Sequence, residues 1–207
     1  VRNTLNKYLE KSGLVVLFCL IPLLTIAQKQ KTKPNIIYIY ADDLGYGELG
    51  SYGQTKIKTP HLDRMAREGM RFTQHYSGAP VCAPSRSILM TGKHSGHSYI
   101  RGNYEMGGFA DSLEGGQMPL HEGAYTIAKM LKERGYHTGL VGKWGMGVTG
   151  TTGSPLNHGF DYYYGVLDQK QAHNFYPTHL WENDKWDALN NHIFSVHGKI
   201  DPKTATD

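Results

Sequence analysis

The chain has 207 residues and a formal net charge of +4, a length that suits one domain or part of a larger one. Six of its 22 Lys/Arg but only one of its 18 acidic residues fall within residues 1–33, which leaves 16 basic against 17 acidic residues beyond. The basicity therefore belongs to a leader and a short lysine tail, and no nucleic-acid partner is expected.

Residues 1–27 have export chemistry. Arg2, Lys7 and Lys11 precede an apolar run from Leu14 to Ala27, and the small Thr25 and Ala27 stand before Gln28 as a cleavage point. Fourteen residues fall short of a hydrocarbon core of about 30 Å. The pattern predicts a cleaved signal peptide, a periplasmic or secreted bacterial protein, and no membrane attachment after cleavage. Cys19 lies within the apolar run behind Phe18, which does not suit lipid attachment. Val1 in place of methionine suggests an alternative start codon or a clipped end. Residues 28–33 read as a basic linker. Cleavage leaves Cys82 as the single cysteine, which cannot staple the fold. A small core residue, a dimer link and a reactive group all remain open for it.

Asn35–Ala41 is apolar and β-rich without clean alternation, which predicts a strand buried on both faces of a parallel sheet. It stops at Asp42–Asp43–Leu44–Gly45. Thr59–Pro60 starts a helix with Leu62, Met65 and Ala66 on one face and Gly69 at its end. Arg71–Ser77 reads as a strand, Pro84–Thr91 as a helix, Tyr125–Arg134 as a helix stopped by Gly135, and His137–Trp144 as a strand. This alternation favours an α/β layered fold. Residues 145–155 are loop, residues 160–186 are dense in aromatics, and nothing closes the chain near Thr204–Asp207, so a longer protein is expected.

The chemistry concentrates in Pro80–Gly92, where Cys82 stands beside a helix N-terminus with Arg86 one turn along. Exposed N–H groups and the guanidinium would make a positive pocket for an anion, against the alternative of a buried cysteine near a helix start. Asp42 and Asp43 at a strand end suit a hard divalent cation, against the alternative of a solvated acidic turn.

Cys-x-Pro-Ser-Arg followed by Leu-Met-Thr-Gly over Cys82–Gly92 resembles the sulfatase signature, and the likeness extends from about Pro34 to Trp186. The resemblance implies an alkaline-phosphatase-like fold with a mostly parallel central sheet, residues 34–207 being the N-terminal part of a truncated catalytic domain. It implies conversion of Cys82 to formylglycine by a maturation enzyme. One hydroxyl of the hydrated aldehyde attacks sulfur, and the other expels sulfate. It further implies one Ca²⁺ on Asp42, Asp43 and modified Cys82, with Arg86 and Lys143 on the sulfate. The substrate implied is a sulfated carbohydrate or aryl sulfate.

Gly135–Trp144 resembles the second signature of that family, in which a histidine usually stands two residues after the lysine. Here that position is Gly145. Relatives with Gly-Lys-Trp-Gly carry a later Gln-x-Gln-Ala-His, here Gln169–His173, so His173 is a candidate for the missing imidazole or for substrate binding. His94 is a second candidate in a substrate pocket. His94-x-x-His97 lacks a third zinc ligand at a recognisable spacing, and Gly145–Gly150 fits a dinucleotide pattern but precedes no helix. Tyr162, Tyr163, Tyr164, Phe175, Tyr176, Trp181 and Trp186 offer faces on which sugars stack, against the alternative of ordinary packing. The rival functions are a phosphoester or phosphonate hydrolase of the same superfamily and an inactive glycan-binding relative.

Overall fold

The computed structural model describes residues 33–104, 106, 114 and 116–191; the expected leader lies outside them, apart from Lys33 at the end of the lysine tail. No helix among the described residues is long and apolar enough to cross a membrane. The chain divides into two units, Val1–Tyr40 and Ala41–Asp207.

Within the first unit, residues 33–40 form no ladder, and Ile37 is 86% exposed. The predicted strand Asn35–Ala41 is thus not a strand of the described sheet. A β-rich run becomes a strand only when a neighbour takes its N–H and C=O groups. The same holds for Arg71–Ser77 in the second unit, which is irregular, with Phe72 and Tyr76 exposed.

The second unit carries the folded core. Helix α1 spans Pro60–Glu68. Thr59 before it accepts from the Gly50 amide at 2.8 Å and donates to Asp63 Oδ1 at 3.1 Å, which ties the short 3-10 turn Gly50–Tyr52 to the helix start. None of its residues is buried, and Leu62 and Met65 stand exposed on the predicted apolar face. Helix α2 spans Cys82–Thr91, two residues earlier than predicted. Its first intrahelical bond runs from the Ser85 amide to the Val81 carbonyl, so Pro84 sits third in the helix. Every first-turn N–H lacks an intrahelical partner, so proline is tolerated there as well as at the first position. Gly92, at φ 65°, ends the helix in the left-handed conformation. Helix α3 spans Ile127–Glu133, with the Thr126 hydroxyl accepting from the Lys129 amide as its cap.

Four strands form one sheet in the order β1 (Gly139–Lys143), β2 (Tyr162–Val166), β3 (His179–Glu182), β4 (Lys185–Ala188). β1 and β2 pair in parallel from Gly139↔Tyr162 to Lys143↔Val166, whereas β2–β3 and β3–β4 are antiparallel. The described sheet is therefore mixed, with the parallel pairing expected at β1–β2 and two antiparallel ones beside it. β3 and β4 turn through Asn183 and Asp184, with Asn183 at φ 57°, a conformation asparagine tolerates in tight hairpins.

Ala83, Ile100, Leu120, Ala128, Trp144, Met146, Phe160, Tyr163 and Leu167 form the core. Trp144 is fully buried, and its Nε1 donates to the Gly153 carbonyl at 2.7 Å. Of the seven aromatic residues offered as sugar faces, Tyr163 is buried, Tyr162, Tyr164, Tyr176 and Trp181 are half-buried, and Phe175 and Trp186 are exposed. Tyr163 is buried on β2, with burial and then the Glu114 charge pushing its hydroxyl well above the usual tyrosine range. Trp181 meets Trp186 edge-on across the β3–β4 pair and donates to Glu114. Phe175 and Trp186 keep exposed faces.

Candidate active site at the start of helix α2

Three segments distant in sequence meet at the first turn of α2. Asp42 and Asp43 enter from a bend, with Asp43 in the left-handed region at φ 55°. Aspartate is among the residues that occupy this region most readily. Cys82 is the first residue of α2 and half-buried. Lys143 is the last residue of β1, the carboxyl end of a parallel strand, where open α/β sheets gather their ligands. Its Nζ lies 3.8 Å from Cys82 Sγ and also contacts Asp42 Oδ2.

Arg86 follows Cys82 by four residues, which puts both on one helix face. The guanidinium is 7% exposed. Its Nη2 donates to Asp42 Oδ2 at 3.0 Å, and its Nη1 donates to Gln169 Oε1 at 3.2 Å and to the Trp144 carbonyl at 3.4 Å. Asp42 Oδ2 thus accepts from two cations. Burial pushes the Asp42 carboxyl up, but the hydrogen bond from Lys143, the charges of Arg86 and Lys143 and a hydrogen bond from Cys82 hold it below its usual range.

The carboxylates and the thiol form the one group of three potential metal-ligating residues among the described residues, with one ligand atom from each lying within 4.8 Å of the others. A calcium ion with oxygens at 2.3–2.6 Å spans about 4.6–5.2 Å from ligand to opposite ligand, so the spacing fits one ion. Two hard carboxylates and a soft thiolate are a mixed donor set. An oxygen at position 82 would make it uniform.

His94 is exposed beyond the far end of α2, a helix about 15 Å long, and its Nδ1 accepts from the Gly96 amide. His97 joins Lys93, Arg101 and His121 around an open cleft of about 620 Å³. His173 is exposed at the end of the 3-10 turn Gln169–Ala172. The residue that meets position 145 is instead Gln169. A Cβ on Gly145 would lie 2.7 Å from Gln169 Oε1 and 3.2 Å from Arg86 Nη1, and Gly145 itself sits at φ +73°. A residue absent from the sequence reading is Asn103, whose Oδ1 takes the Ala83 amide at 3.0 Å and so caps the turn carrying Cys82. No motif announces it.

Two carboxylates, a lysine and an arginine thus gather at the head of a helix that begins with a cysteine, in an α/β fold. The sulfatase family profile matches residues 34–194. Arylsulfatase D of Homo sapiens is 44% identical over 159 residues, 73% of this chain and 26% of that protein. Steryl-sulfatase of Mus musculus is 45% identical over 138 residues, 64% of this chain and 22% of that protein. Among solved structures, Ps i-CgsB in complex with k-i-k-neocarrahexaose matches with a TM-score of 0.63 and 33% identity, covering 78% of this chain and 39% of that one. BT4656 in complex with its substrate D-glucosamine-2-N,6-O-disulfate matches with a TM-score of 0.58 and 28% identity, covering 78% and 28%. The chain belongs to the sulfatase family, has its alkaline-phosphatase-like fold, and spans about a quarter of the length of the curated relatives it matches.

Proposed function

We propose that the complete protein carrying this chain hydrolyses sulfate esters on sulfated glycans, using formylglycine made from Cys82 and one calcium ion on Asp42, Asp43 and residue 82. The observation that carries this reading is the placement of Cys82 at the head of α2, with Lys143 Nζ at 3.8 Å and the Arg86–Asp42 pair beside it. A hydrated formylglycine supplies the attacking oxygen and a second hydroxyl through which sulfate is released. Bound calcium supplies positive charge to the nucleophile and to the sulfate oxygens.

The chain's own residues do the rest. Lys143 reaches the side chain of residue 82 and stands ready to meet its oxygen and a sulfate oxygen. Arg86, held within the protein, donates to Asp42 Oδ2, the same carboxylate oxygen that Lys143 contacts. Groups of this kind are each worth about 2.7–4 kcal/mol when they meet developing charge. The depressed pKa of Asp42 keeps it ionised at neutral pH as a partner for both cations.

Glycan substrates are supported by the sugar complexes of Ps i-CgsB and BT4656 and by the open faces of Phe175 and Trp186. The profile match from residue 34 supports a catalytic domain after a leader (1–27) and basic linker (28–33), consistent with export to the periplasm or outside. A maturation enzyme must reach Cys82, which is half-buried. Calcium takes about six to eight oxygens, more than the three ligands grouped among the described residues offer, so residues 1–207 alone should release little or no sulfate.

The test is the complete, matured protein given matched aryl sulfate and aryl phosphate, with peptide mass analysis at position 82. The reading expects a loss of about 18 Da for the aldehyde, as exchange of thiol for carbonyl requires, faster turnover of the sulfate, and none with Cys82→Ala. A plain sulfhydryl in the mature protein removes the attacking group. Preference for phosphate favours a phosphoester hydrolase, and binding without turnover favours an inactive relative.

A further inference from the structure

Arg86 is nearly enclosed, and its aim is set by what its two terminal nitrogens grip. Nη2 is taken by Asp42, while Nη1 has Gln169 Oε1 at 3.2 Å and the longer Trp144 contact at 3.4 Å. A guanidinium only donates, so the Gln169 amide must present its oxygen. Gln169 is itself 2% exposed. The segments after β1 and β2 continue side by side, with the Trp144 amide bonded to the Val166 carbonyl and the Gly145 amide to the Leu167 carbonyl. That pairing delivers the 3-10 turn at Gln169 to the flank of Gly145. Because Gly145 has no Cβ and sits at φ +73°, the oxygen of Gln169 fills the space a side chain there would need.

We propose that Gln169 is a positioning residue for Arg86 and that Gly145 exists in this chain to admit it. Position 145 thus takes part in the site through the amide that its empty side lets in. The catalytic consequence rests on the sulfate-ester reading, whereas the geometric claim does not. With the acceptor gone, one arm of the guanidinium keeps only the Trp144 carbonyl, and the arm that holds Asp42 Oδ2 loses its second anchor.

The complete matured protein is compared with Gln169→Leu, Gln169→Glu, Gly145→Ala and the Gly145→Ala/Gln169→Leu double variant, on an aryl sulfate. Loss of a hydrogen bond to a charged group predicts a kcat about tenfold lower for Gln169→Leu, with KM held within about twofold. Gln169→Glu keeps an oxygen acceptor and recovers most of kcat. Gly145→Ala loses at least as much as Gln169→Leu, because its Cβ displaces the Gln169 oxygen and alanine rarely adopts a φ of +73°, and the double variant loses less than the product of the two single losses, since they share the Gln169 contact. Wild-type kcat in Gln169→Leu, equal losses in the Leu and Glu variants, or multiplying losses in the double variant overturn the proposal.

A second readout needs no turnover. In metal-free protein labelled with 15N-arginine, the Arg86 Nη protons should exchange with water at least about fivefold faster in Gln169→Leu than in wild type or Gln169→Glu, as a released charged hydrogen bond requires. Unchanged exchange sinks the positioning claim. If wild-type protein turns over no sulfate ester, the functional reading fails and this exchange measurement still decides the role of Gln169.

Discussion

Asp42→Asn tests the shared acceptor at the centre of the site. Asp42 Oδ2 takes Arg86 Nη2 at 3.0 Å and also Lys143 Nζ, and the substitution keeps the shape while removing the charge. Removing one partner of a buried pair costs about 3–5 kcal/mol, but the Asp42 side chain is 37% exposed, and exposed pairs are worth about 0.2–1 kcal/mol. Arg86 keeps Gln169 and the Trp144 carbonyl as acceptors, which reduces the loss further. The balance is about 1–2 kcal/mol, between the surface and buried limits. The assay is urea unfolding of the complete protein in chelator, over a pH series. Asp42 is depressed in the folded state, so its contribution is complete above the ordinary carboxylate value of 3.8 and is lost as pH falls through the lower folded value. The gap between wild type and variant should therefore be full at neutral pH and close in strong acid. Calcium should widen it, because an ion that binds only the folded wild type adds about 2.7 kcal/mol at a concentration 100 times its Kd. Equal stability at neutral pH, or a gap that grows in acid, would refute the reasoning.

Lys143→Ala should lower kcat on an aryl sulfate by about 10²–10³-fold, the effect of removing one group aimed at developing charge, as steady-state kinetics will show. Trp144→Ala should destabilise by about 3–5 kcal/mol through a core cavity, read by chemical unfolding, since this ring is fully buried. Thr126→Ala should cost about 1 kcal/mol by removing the cap of α3; the loss should appear in the same unfolding assay and leave KM unchanged.

The sequence is legible where local chemistry decides the structure. Thr59–Pro60 and Thr126 start their helices, and a glycine follows each of the three predicted helices within one or two residues. The grouping of Asp42, Cys82, Arg86 and Lys143 is what the resemblance to the two family signatures implies, and the structure brings the four together. Partnership is what escapes a linear reading. Asn35–Ala41 and Arg71–Ser77 have the composition of strands, yet no ladder in the described sheet includes them. Gln169 was hidden for a related reason. A missing imidazole draws attention to His173, whereas only the register that carries β1 and β2 forward side by side brings Gln169, four residues earlier, against Gly145. Asn103 contacts Ala83 across 20 positions with no spacing rule to announce it.

The charge balance of the cluster explains why these residues belong together under the proposed reaction. Asp42 and Asp43 face Arg86 and Lys143, and the four formal charges cancel. Asp42 alone is gripped by both cations, so neither cation sits desolvated without a partner. A divalent ion on the two carboxylates would leave an excess of two positive charges. A sulfate monoester brings one negative charge, and an ionised nucleophile brings a second. The site would then be neutral when the sulfur is attacked, and overcharged for the alcohol product, which carries no charge to hold it. A phosphate monoester brings up to two charges of its own and, with the ionised nucleophile, exceeds the positive charge available. On this argument the preference for sulfate over phosphate depends on the count of fixed charges around residue 82, so Lys143→Met should strengthen that preference and an added lysine should weaken it, read as the ratio of kcat/KM on matched aryl sulfate and aryl phosphate.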